Sequence, residues 1–404
     1  MRVTFISPFP IFPPHGGNRA RTLTLITYLR EMGHQISFVL LDSRQLGDYE
    51  EAPHQLFFGE SNFIFLGRNP LWNFFYYLLR AYKIMMRFLK KHLGLKNFNL
   101  RSVDENYYRP FTRQIETISK QLNADIVVVE YVQFSRAFDA FKEGVFKVLD
   151  AHDSAAAFLS AEEEAKGFRR ADVVLAIQDA EGDRFRAQLG SDADRVLVMS
   201  HLLDMNDRVD VSDTEGVSFL GSSFAANIVS LKYFVDEVMP VVISKLPSLK
   251  LFVAGSICDD TADHPSIRKL GRVATLSQAF KAAPISINPT RAGTGIKIKL
   301  LESMSHGIPV ISTKYGVDGI DPTFLDGVVR VDDDDVLGFA RAVVELAMNS
   351  ALRKRLGECS YKCALRWNEK QLSALKTLLS KAEEAMVKAD AEKTAIREPS
   401  LASS

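Results

Sequence analysis

The chain has 404 residues, of which 47% are hydrophobic, and its 50 Lys and Arg residues balance 50 Asp and Glu residues. Two domains are expected, because a chain of this length is too long for one ordinary hydrophobic core. The balanced charge gives no sign of a nucleic-acid partner, so any basic surface must be local. Three cysteines are too few for a disulfide framework and fit a reducing compartment. No apolar run reaches the roughly 18 residues of a membrane-spanning helix, and Pro8 interrupts the first run too early for a secretory signal.

The N-terminal residues predict a strand, a helix and a second strand. Val3 to Ser7 is a short apolar run typical of a buried parallel strand, and a Pro/Gly loop follows it. Apolar residues then recur at helical spacing up to Met32, and Gly33 can end that helix. Further apolar runs, separated mostly by helical patterns, lie at 35–41, 126–129, 146–149, 173–177 and 196–199. This alternation predicts a parallel sheet with helices on both faces.

A basic, aromatic segment interrupts this first series. From Ser61 to Val103 there is no Asp or Glu, while eight Lys or Arg residues alternate with aromatic side chains. Apolar residues from Leu71 onward keep helical spacing, which predicts an amphipathic helix over 70–96. Such a helix favours an anionic membrane surface, from which a lipid-linked acceptor could be reached. The alternative is a helix that packs in the core with a basic outer face. No nucleic-acid-binding module accompanies the charge, so no nucleic-acid partner is expected.

A second series of apolar runs begins at 217–220 and continues at 249–253, 285–287, 309–312 and 328–331. The polar stretch 204–216 separates the two series, and residues from 389 onward lack an apolar period. We therefore expect an N-terminal domain over 1–205, a C-terminal domain over 206–365, a helix over 366–388 that packs back on the N-terminal domain, and a disordered tail over 389–404.

The segment from Pro289 to Pro309 is the most informative one, and it predicts a strand end, a Gly-rich loop, a helix and the next strand. Gly293 and Gly295 lack Cβ atoms, so a ligand can approach the backbone closely. The helix that follows presents free N–H groups and the positive end of its dipole, for which a phosphate is the natural ligand. Lys297 and Lys299 oppose that dipole, which suggests that at least one of them has an anionic partner. The alternative is an ordinary loop with solvated lysines.

The ordered pattern Pro-x-Arg-x-Gly-x-Gly-x-Lys-x-Lys-x-x-Glu-x-Met-x-x-Gly-x-Pro-Val in this segment resembles the donor-site signature of family 4 (group 1) glycosyltransferases. The resemblance covers about residues 1–370 and is strongest in the second half. It implies an α/β protein of the GT-B fold, with two Rossmann-like domains whose parallel sheets face a central cleft. It further implies a retaining, metal-independent glycosyltransferase of the hexosyltransferase type, with a nucleotide-sugar as its substrate and no cofactor.

The resemblance also implies roles for individual residues. Glu302 stands where the family's Glu accepts hydrogen bonds from the ribose hydroxyls, and the Gly-rich loop stands where the family holds the diphosphate and the sugar. Gly16 and Gly17 lie where the family's first loop approaches the phosphates, with a plain turn as the alternative. The donor-binding residues implied are Gly16, Gly17, Gly221, Ser222, Arg272, Val273, Arg291, Gly293, Thr294, Gly295, Ile296 and Glu302.

The sequence departs from the family pattern at two places. Many members carry a second Glu eight positions before the one at Glu302, and here that position is Thr294. Many also carry an Arg and a Lys after the first strand of the donor domain, whereas residues 221–227 contain no cation. Lys297 is the first candidate for the missing positive charge and Arg291 the second. The identity of the donor sugar is left open.

The candidate acceptor residues follow two strands of the first series. His152 and Asp153 come after the run at 146–149, and the family has a histidine near the reacting sugar at this place. His152 could polarise a hydroxyl, and Asp153 could orient it or act as the base. The alternative is a helix N-cap with a surface histidine. Glu130 ends the preceding strand and is the candidate for binding acceptor hydroxyls. With Lys297 on the phosphate, these are the expected catalytic and acceptor residues, and no metal is expected.

The function expected is transfer of a sugar from a nucleotide-diphospho-sugar to a glycan or lipid-linked acceptor, in the synthesis of a cell-surface polysaccharide or glycolipid. The enzyme would work in the cytoplasm or on the inner membrane face. Two alternatives stay open. One is a non-catalytic GT-B protein that binds a nucleotide-sugar or a partner, favoured by the absence of the first Glu. The other is a sugar-nucleotide epimerase on the same fold.

Overall fold

The structure is a computed structural model that describes residues 1–14, 16–43, 46–92, 101–293 and 295–397, without the side chains of 72, 79, 83, 87, 90–92 and 392–397. The chain divides into two compact units. The first comprises Met1–Pro14, Leu25–Ser200 and Ala374–Ser404, and the second comprises His15–Thr24 and His201–Ser373.

The first unit is built on a sheet of seven parallel strands over the described residues. The strands are β1 (Arg2–Ser7), β2 (Gln35–Leu41), β3 (Phe63–Leu66), β4 (Ile126–Glu130), β5 (Phe146–Asp150), β6 (Val173–Ala176) and β7 (Val196–Val198). Their order in the sheet is β3-β2-β1-β4-β5-β6-β7. The connecting helices are α1 (Gly17–Glu31), α2 (Glu51–Phe58), α3 (Pro70–His92), α4 (Pro110–Leu122), α5 (Ala161–Phe168) and α6 (Asp179–Leu189). The residues of α1 up to Thr24 group with the second unit.

The second unit repeats this plan with six parallel strands over the described residues. They are β8 (Gly216–Leu220), β9 (Lys250–Ala254), β10 (Ile267–Gly271), β11 (Ser286–Asn288), β12 (Val310–Thr313) and β13 (Val328–Val331), in the order β10-β9-β8-β11-β12-β13. The helices are α7 (Ala225–Tyr233), α8 (Met239–Lys245), α9 (Leu276–Ala282), α10 (Ile298–Ser305), α11 (Val336–Met348) and α12 (Ser350–Arg397).

Two doubly wound parallel sheets confirm the predicted α/β class. In each sheet the strand order reverses once, between β1 and β4 and between β8 and β11. Open α/β sheets bind ligands at such a point, beyond the carboxyl ends of the strands. The strands are apolar and buried because helices cover both faces, and rings such as Phe38 and Phe219 are fully buried. Burial of each such ring contributes about 1.5–3 kcal/mol.

The C-terminal segment differs from the prediction. The helix expected over 366–388 is part of the longer α12, which leaves the second unit after Ser373 and continues in the first unit from Ala374. The tail predicted from residue 389 is wrong over 389–397, because α12 is helical to Arg397. Alanine, glutamate and lysine are strong helix formers, and this propensity outweighs the missing apolar period. Residues 398–404 lie outside the described residues. The sequence predicts the domain boundary between residues 205 and 206, whereas the two compact units divide after Ser200.

Candidate functional site

The loops that follow β8 and β11 begin side by side, since these two strands are neighbours in the second sheet. They are also the strands at which the strand order reverses. Gly221 and Ser222 therefore start one loop, and Pro289 starts the other, at the carboxyl edge where a nucleotide is expected in this class of sheet.

The Gly-rich loop after β11 has the backbone conformation that its glycines allow. Gly293 and Gly295 have φ angles of 108° and 74°, a region that residues with a Cβ atom seldom adopt. The Gly293 carbonyl oxygen accepts a hydrogen bond from the Tyr315 hydroxyl at 2.8 Å. The Gly295 carbonyl oxygen accepts one from Lys297 Nζ, also at 2.8 Å. Thr294 lies outside the described residues, so its proposed place opposite the donor sugar stays a prediction.

Lys297 and Lys299 point to different partners. Lys297 directly precedes α10, and its ammonium lies 5.3 Å from the centre of the Tyr315 ring as well as near its own loop. Lys299, in the first turn of α10, donates to Asn227 Oδ1 at 2.9 Å and lies 4.6 Å from the centre of the Phe219 ring. Burial, with a contribution from the charge of Lys297, lowers the pKa of Lys299 to about 7.

Glu302 lies one turn further along α10 and is half-buried. Burial raises the pKa of its carboxyl group to about 7. No ion pair with Lys299 forms among the described residues, although the two positions are three apart. A carboxyl group with this pKa is half ionised near neutral pH. It is therefore sensitive to any ligand that donates hydrogen bonds to its ionised form.

Arg291 is exposed and already has an anionic partner. Its guanidinium forms an ion pair with Asp334 and lies 4.5 Å from the centre of the Tyr233 ring. Because a carboxylate balances this charge, the structure does not favour Arg291 as the cation for a phosphate.

The loop after β8 is fixed by backbone contacts. The Gly221 N–H donates to the Ala254 carbonyl oxygen at 3.0 Å. A Cβ atom on Gly255 would lie 2.1 Å from the Gly221 carbonyl oxygen, so only glycine fits there. The Asn227 amide donates to the Ser222 carbonyl oxygen at 3.1 Å. Asn227 thus ties this loop to Lys299, a link that sequence reasoning missed.

The remaining predicted donor residues lie at two places, the edge of the second sheet and the start of α10. Arg272 and Val273 follow β10 at the edge of the sheet; Arg272 is exposed and Val273 is half-buried. Gly16 and Gly17 belong to the stretch that groups with the second unit. A Cβ atom on Gly17 would lie 3.1 Å from Cδ1 of Ile298, the first residue of α10, and Ile296 stands just before that helix.

The candidate acceptor residues of the first unit form a buried cluster. Glu130 ends β4 and Asp150 ends β5, and these two residues are partners in the strand register. Both are 0% exposed, and His152 is 4% exposed. His152 Nε2 and Glu130 Oε2 share a hydrogen bond, and the His152 N–H donates to Asp150 Oδ1 at 3.4 Å. The predicted alternative of a surface histidine is therefore wrong.

The imidazole is also held by strained backbone and by aromatic rings. His152 has a φ angle of 55° and Tyr131 one of 65°, which is costly for residues with a Cβ atom. The centres of the Tyr131 and Phe9 rings lie 4.5 Å and 5.6 Å from that of the imidazole. Strain of this kind is kept where the surroundings enforce it, most often at functional sites.

Beside this cluster stands Glu181, which sequence reasoning missed as a site residue. It lies in the first turn of α6 and is 8% exposed. Its Oε1 accepts a hydrogen bond from the Ser154 N–H at 3.1 Å. Burial, together with the charge of Asp153, raises the pKa of Glu181 to about 7. Asp153 itself is exposed. Its position in the chain could have indicated a site residue, because α6 follows directly on β6 and β6 is the neighbour of β5 in the sheet.

Ligand atoms of Glu130, Asp150 and His152 lie within 4.8 Å of one another, so their residue types could hold a divalent cation. However, Glu130 and His152 bond directly to each other. Two ligands of one ion lie roughly 3 Å or more apart, given metal–ligand distances near 2.1 Å. The arrangement is that of a histidine–carboxylate pair, and the absence of a metal stays a prediction.

The comparisons with known proteins agree with this geometry. Residues 214–349 match the family described as Glycosyl transferases group 1. The matched residues, which we call the group 1 domain, lie within the second unit. This group 1 domain includes every predicted donor residue except Gly16 and Gly17. A curated relative, the "uncharacterized 44.6 kDa protein in cps region" of Klebsiella pneumoniae, is 28% identical over 159 residues. That match spans 35% of this chain and 39% of the relative's length.

Solved structures extend the likeness to nearly the whole chain. TarM of S. aureus has a TM-score of 0.63 at 11% identity over 95% of this chain and 99% of its own. Sucrose-phosphate synthase from Thermosynechococcus elongatus has 0.62 at 13% identity over 96% and 100%. Anabaena HepE in complex with UDP has 0.58 at 12% identity over 93% and 100%. At these identities the likeness concerns the fold. The fold around the group 1 domain is GT-B, as predicted.

Proposed function

We propose that the protein is a retaining glycosyltransferase that transfers a hexosyl residue from a nucleotide-diphospho-sugar to a glycan or lipid-linked acceptor. One observation carries the proposal. Within the group 1 domain, the Gly-rich loop and the start of α10, which carries Lys299, lie where the strand order of the second sheet reverses, between β8 and β11. TarM and HepE have been solved with UDP, so UDP-sugars are the first donors to test.

The chemistry follows from this arrangement. The bond between the anomeric carbon and the phosphate oxygen breaks, and the acceptor oxygen forms a bond to the same carbon on the same face. The acceptor proton passes to the leaving diphosphate, which gains negative charge as it departs. Backbone N–H groups at the start of α10 and a lysine ammonium stabilise that charge without a metal.

We further propose that the first unit binds the acceptor. His152, held by Glu130, polarises an acceptor hydroxyl, and Glu130 binds a neighbouring one. Asp153 is exposed, and its proposed role is to orient the acceptor hydroxyl or to act as the base.

The basic aromatic segment supports a membrane partner. α3 spans Pro70–His92, and residues 93–96 of the predicted helix lie outside the described residues. Its apolar side chains are exposed, with Leu71 at 67% and Phe74 at 63%; the others are Phe75, Leu78, Tyr82, Ile84, Met85, Phe88 and Leu89. The helix is therefore not a core helix, although Tyr76 packs against the core of the first unit. No described helix combines the length and apolar composition that crossing a bilayer requires.

We propose that this helix lies on the anionic inner face of a membrane, which makes the enzyme a peripheral protein of the cytoplasm. The segment from Ser61 to Val103 contains no acidic residue, so its charge attracts anionic lipid and repels a second copy of itself. In co-sedimentation with liposomes, we expect binding only when anionic lipid is present. Charge reversal of Arg87, Lys90 and Lys91 should abolish it. Equal binding to neutral liposomes would contradict the proposal.

The experiment for the enzyme as a whole is a donor screen. UDP- and GDP-sugars are first tested by thermal shift, because a ligand bound to the folded state raises its stability by mass action. Donors that bind are then followed for hydrolysis and transfer. If no nucleotide binds and no donor is consumed, the proposed transfer from UDP- or GDP-sugars is refuted. Epimerised donor in the absence of acceptor would instead identify an epimerase.

A further inference from the structure

Three cations lie on the Gly-rich loop and the start of α10, and they differ in the groups that they contact. Arg291 forms an ion pair with Asp334. Lys297 donates to a carbonyl oxygen of its own loop. Lys299 extends instead to the opposite loop and donates to Asn227 beside β8.

The surroundings of Lys299 are neutral or positive. Its partners are an amide oxygen at 2.9 Å and the ring of Phe219 at 4.6 Å. No carboxylate among the described residues forms an ion pair with it, and the charge next to it is that of Lys297. The start of α10 adds the positive end of the helix dipole. An anionic ligand is therefore the group that would balance this site.

Asn227 determines where the ammonium stands. Its Nδ2 donates to the Ser222 carbonyl oxygen at 3.1 Å, while its Oδ1 accepts from Lys299. The amide thus fixes Lys299 against the loop after β8. An ammonium has three N–H donors, so two are left for a ligand after the bond to Asn227. Residues 221–227 contain no Lys or Arg of their own.

We propose that Lys299, positioned by Asn227, is the residue that binds the diphosphate of the nucleotide-sugar, in place of Lys297 and Arg291. The inference rests on the proposed function, since it assigns the phosphate cation of that same site. As the bond to the anomeric carbon breaks, the charge on the diphosphate increases, and the ammonium binds the leaving group more strongly than the substrate.

The test measures binding of UDP, UMP and uridine by calorimetry, with GDP, GMP and guanosine if the uridine series does not bind. Lys299→Met should weaken the diphosphate about 10- to 100-fold, the effect of one hydrogen bond to a charged group. It should leave the nucleoside unchanged. Lys299→Arg, which keeps the charge, should stay within about threefold of the wild type for the diphosphate.

A relocated charge separates electrostatics from packing. In the double variant Asn227→Lys/Lys299→Met, the lysine stands at position 227, on the partner that Lys299 contacts in the wild type. This variant should recover most of the lost diphosphate affinity. Lys297→Met should change diphosphate affinity by less than about threefold. Lys232→Met is the matched control, because Lys232 is exposed on α7 and pairs with Asp236.

The outcomes are distinct. Unchanged diphosphate affinity in Lys299→Met, or an equal loss for the nucleoside, would overturn the inference, and the second result would mean a structural role. A large loss in Lys297→Met with none in Lys299→Met would assign the phosphate to Lys297. If the wild type binds neither nucleotide series while circular dichroism shows it folded, the proposed function fails first.

Discussion

The affinity for the donor should have a maximum near pH 7, because two groups of the group 1 domain must be charged when it binds. Burial raises the pKa of Glu302 to about 7. The family resemblance predicts that the ionised carboxylate accepts hydrogen bonds from the ribose hydroxyls. Burial and Lys297 lower the pKa of Lys299 to about 7. Below pH 7 Glu302 is mostly neutral, and above pH 7 Lys299 is mostly neutral. Each loss weakens binding on its own side.

The size of the effect follows from these pKa values. Each pH unit beyond the pKa leaves about one tenth as much of the competent form, so affinity should fall about tenfold per unit on both sides. Each group is only half in its competent form at pH 7, so binding at pH 5 and at pH 9 should be about 25-fold weaker than at the maximum, or about 1.9 kcal/mol. Glu302→Gln should remove the decline on the acid side, and Lys299→Met the decline on the alkaline side.

The assay is calorimetric titration of a UDP-sugar from pH 5 to pH 9. A UDP-sugar is preferred to UDP because a terminal phosphate titrates near pH 6 and would add a step of its own. Binding should release a proton on the acid side and take one up on the alkaline side, which buffers of different ionisation enthalpy detect. A flat profile in the wild type, or an acid decline that persists in Glu302→Gln, would refute the reasoning.

Two further predictions concern the first unit. His152→Asn should lower turnover at least about 100-fold, since it removes a polarising group, while donor affinity measured by calorimetry stays unchanged; a parallel loss of donor affinity would contradict the assignment to the acceptor. Glu181 has a pKa raised from 4.5 to about 7, so its neutral form contributes stability that is present below pH 4.5 and lost as pH rises through 7. Thermal unfolding of Glu181→Gln should therefore show a gain relative to the wild type, growing between pH 4.5 and pH 7, of at most about 3 kcal/mol. A constant difference across that range would exclude Glu181 as the titrating group.

The sequence was a good guide where the relevant residues are consecutive. The loop from Pro289 to Gly295 and the helix that carries Glu302 follow from glycines and apolar spacing within one short segment. The alternation of strands and helices likewise predicted both parallel sheets. Local patterns suffice here because backbone conformation and helix periodicity depend on neighbours along the chain.

The sequence was a poor guide where function depends on distant residues. Lys299 and Asn227 are 72 positions apart, and only the adjacency of β8 and β11 brings them into contact. Lys297 was the more obvious candidate because it is nearer the glycines. Glu181 was missed for the same reason, since its closeness to Ser154 depends on the pairing of β5 with β6. No local pattern encodes the order of strands in a sheet.

The two sheets carry different residues at the place where their strand order reverses. The second places glycines and cations there, which suits a flexible, anionic ligand. The first places Glu130 and Asp150 side by side and holds Tyr131 and His152 at positive φ, where ordinary residues are disfavoured. Glycine at these two positions would relieve the strain but would remove both rings. Strained backbone at Tyr131 and His152, next to two buried carboxylates, lowers local stability but fixes the position of the imidazole. This cost is the physical reason to look for the acceptor chemistry at His152.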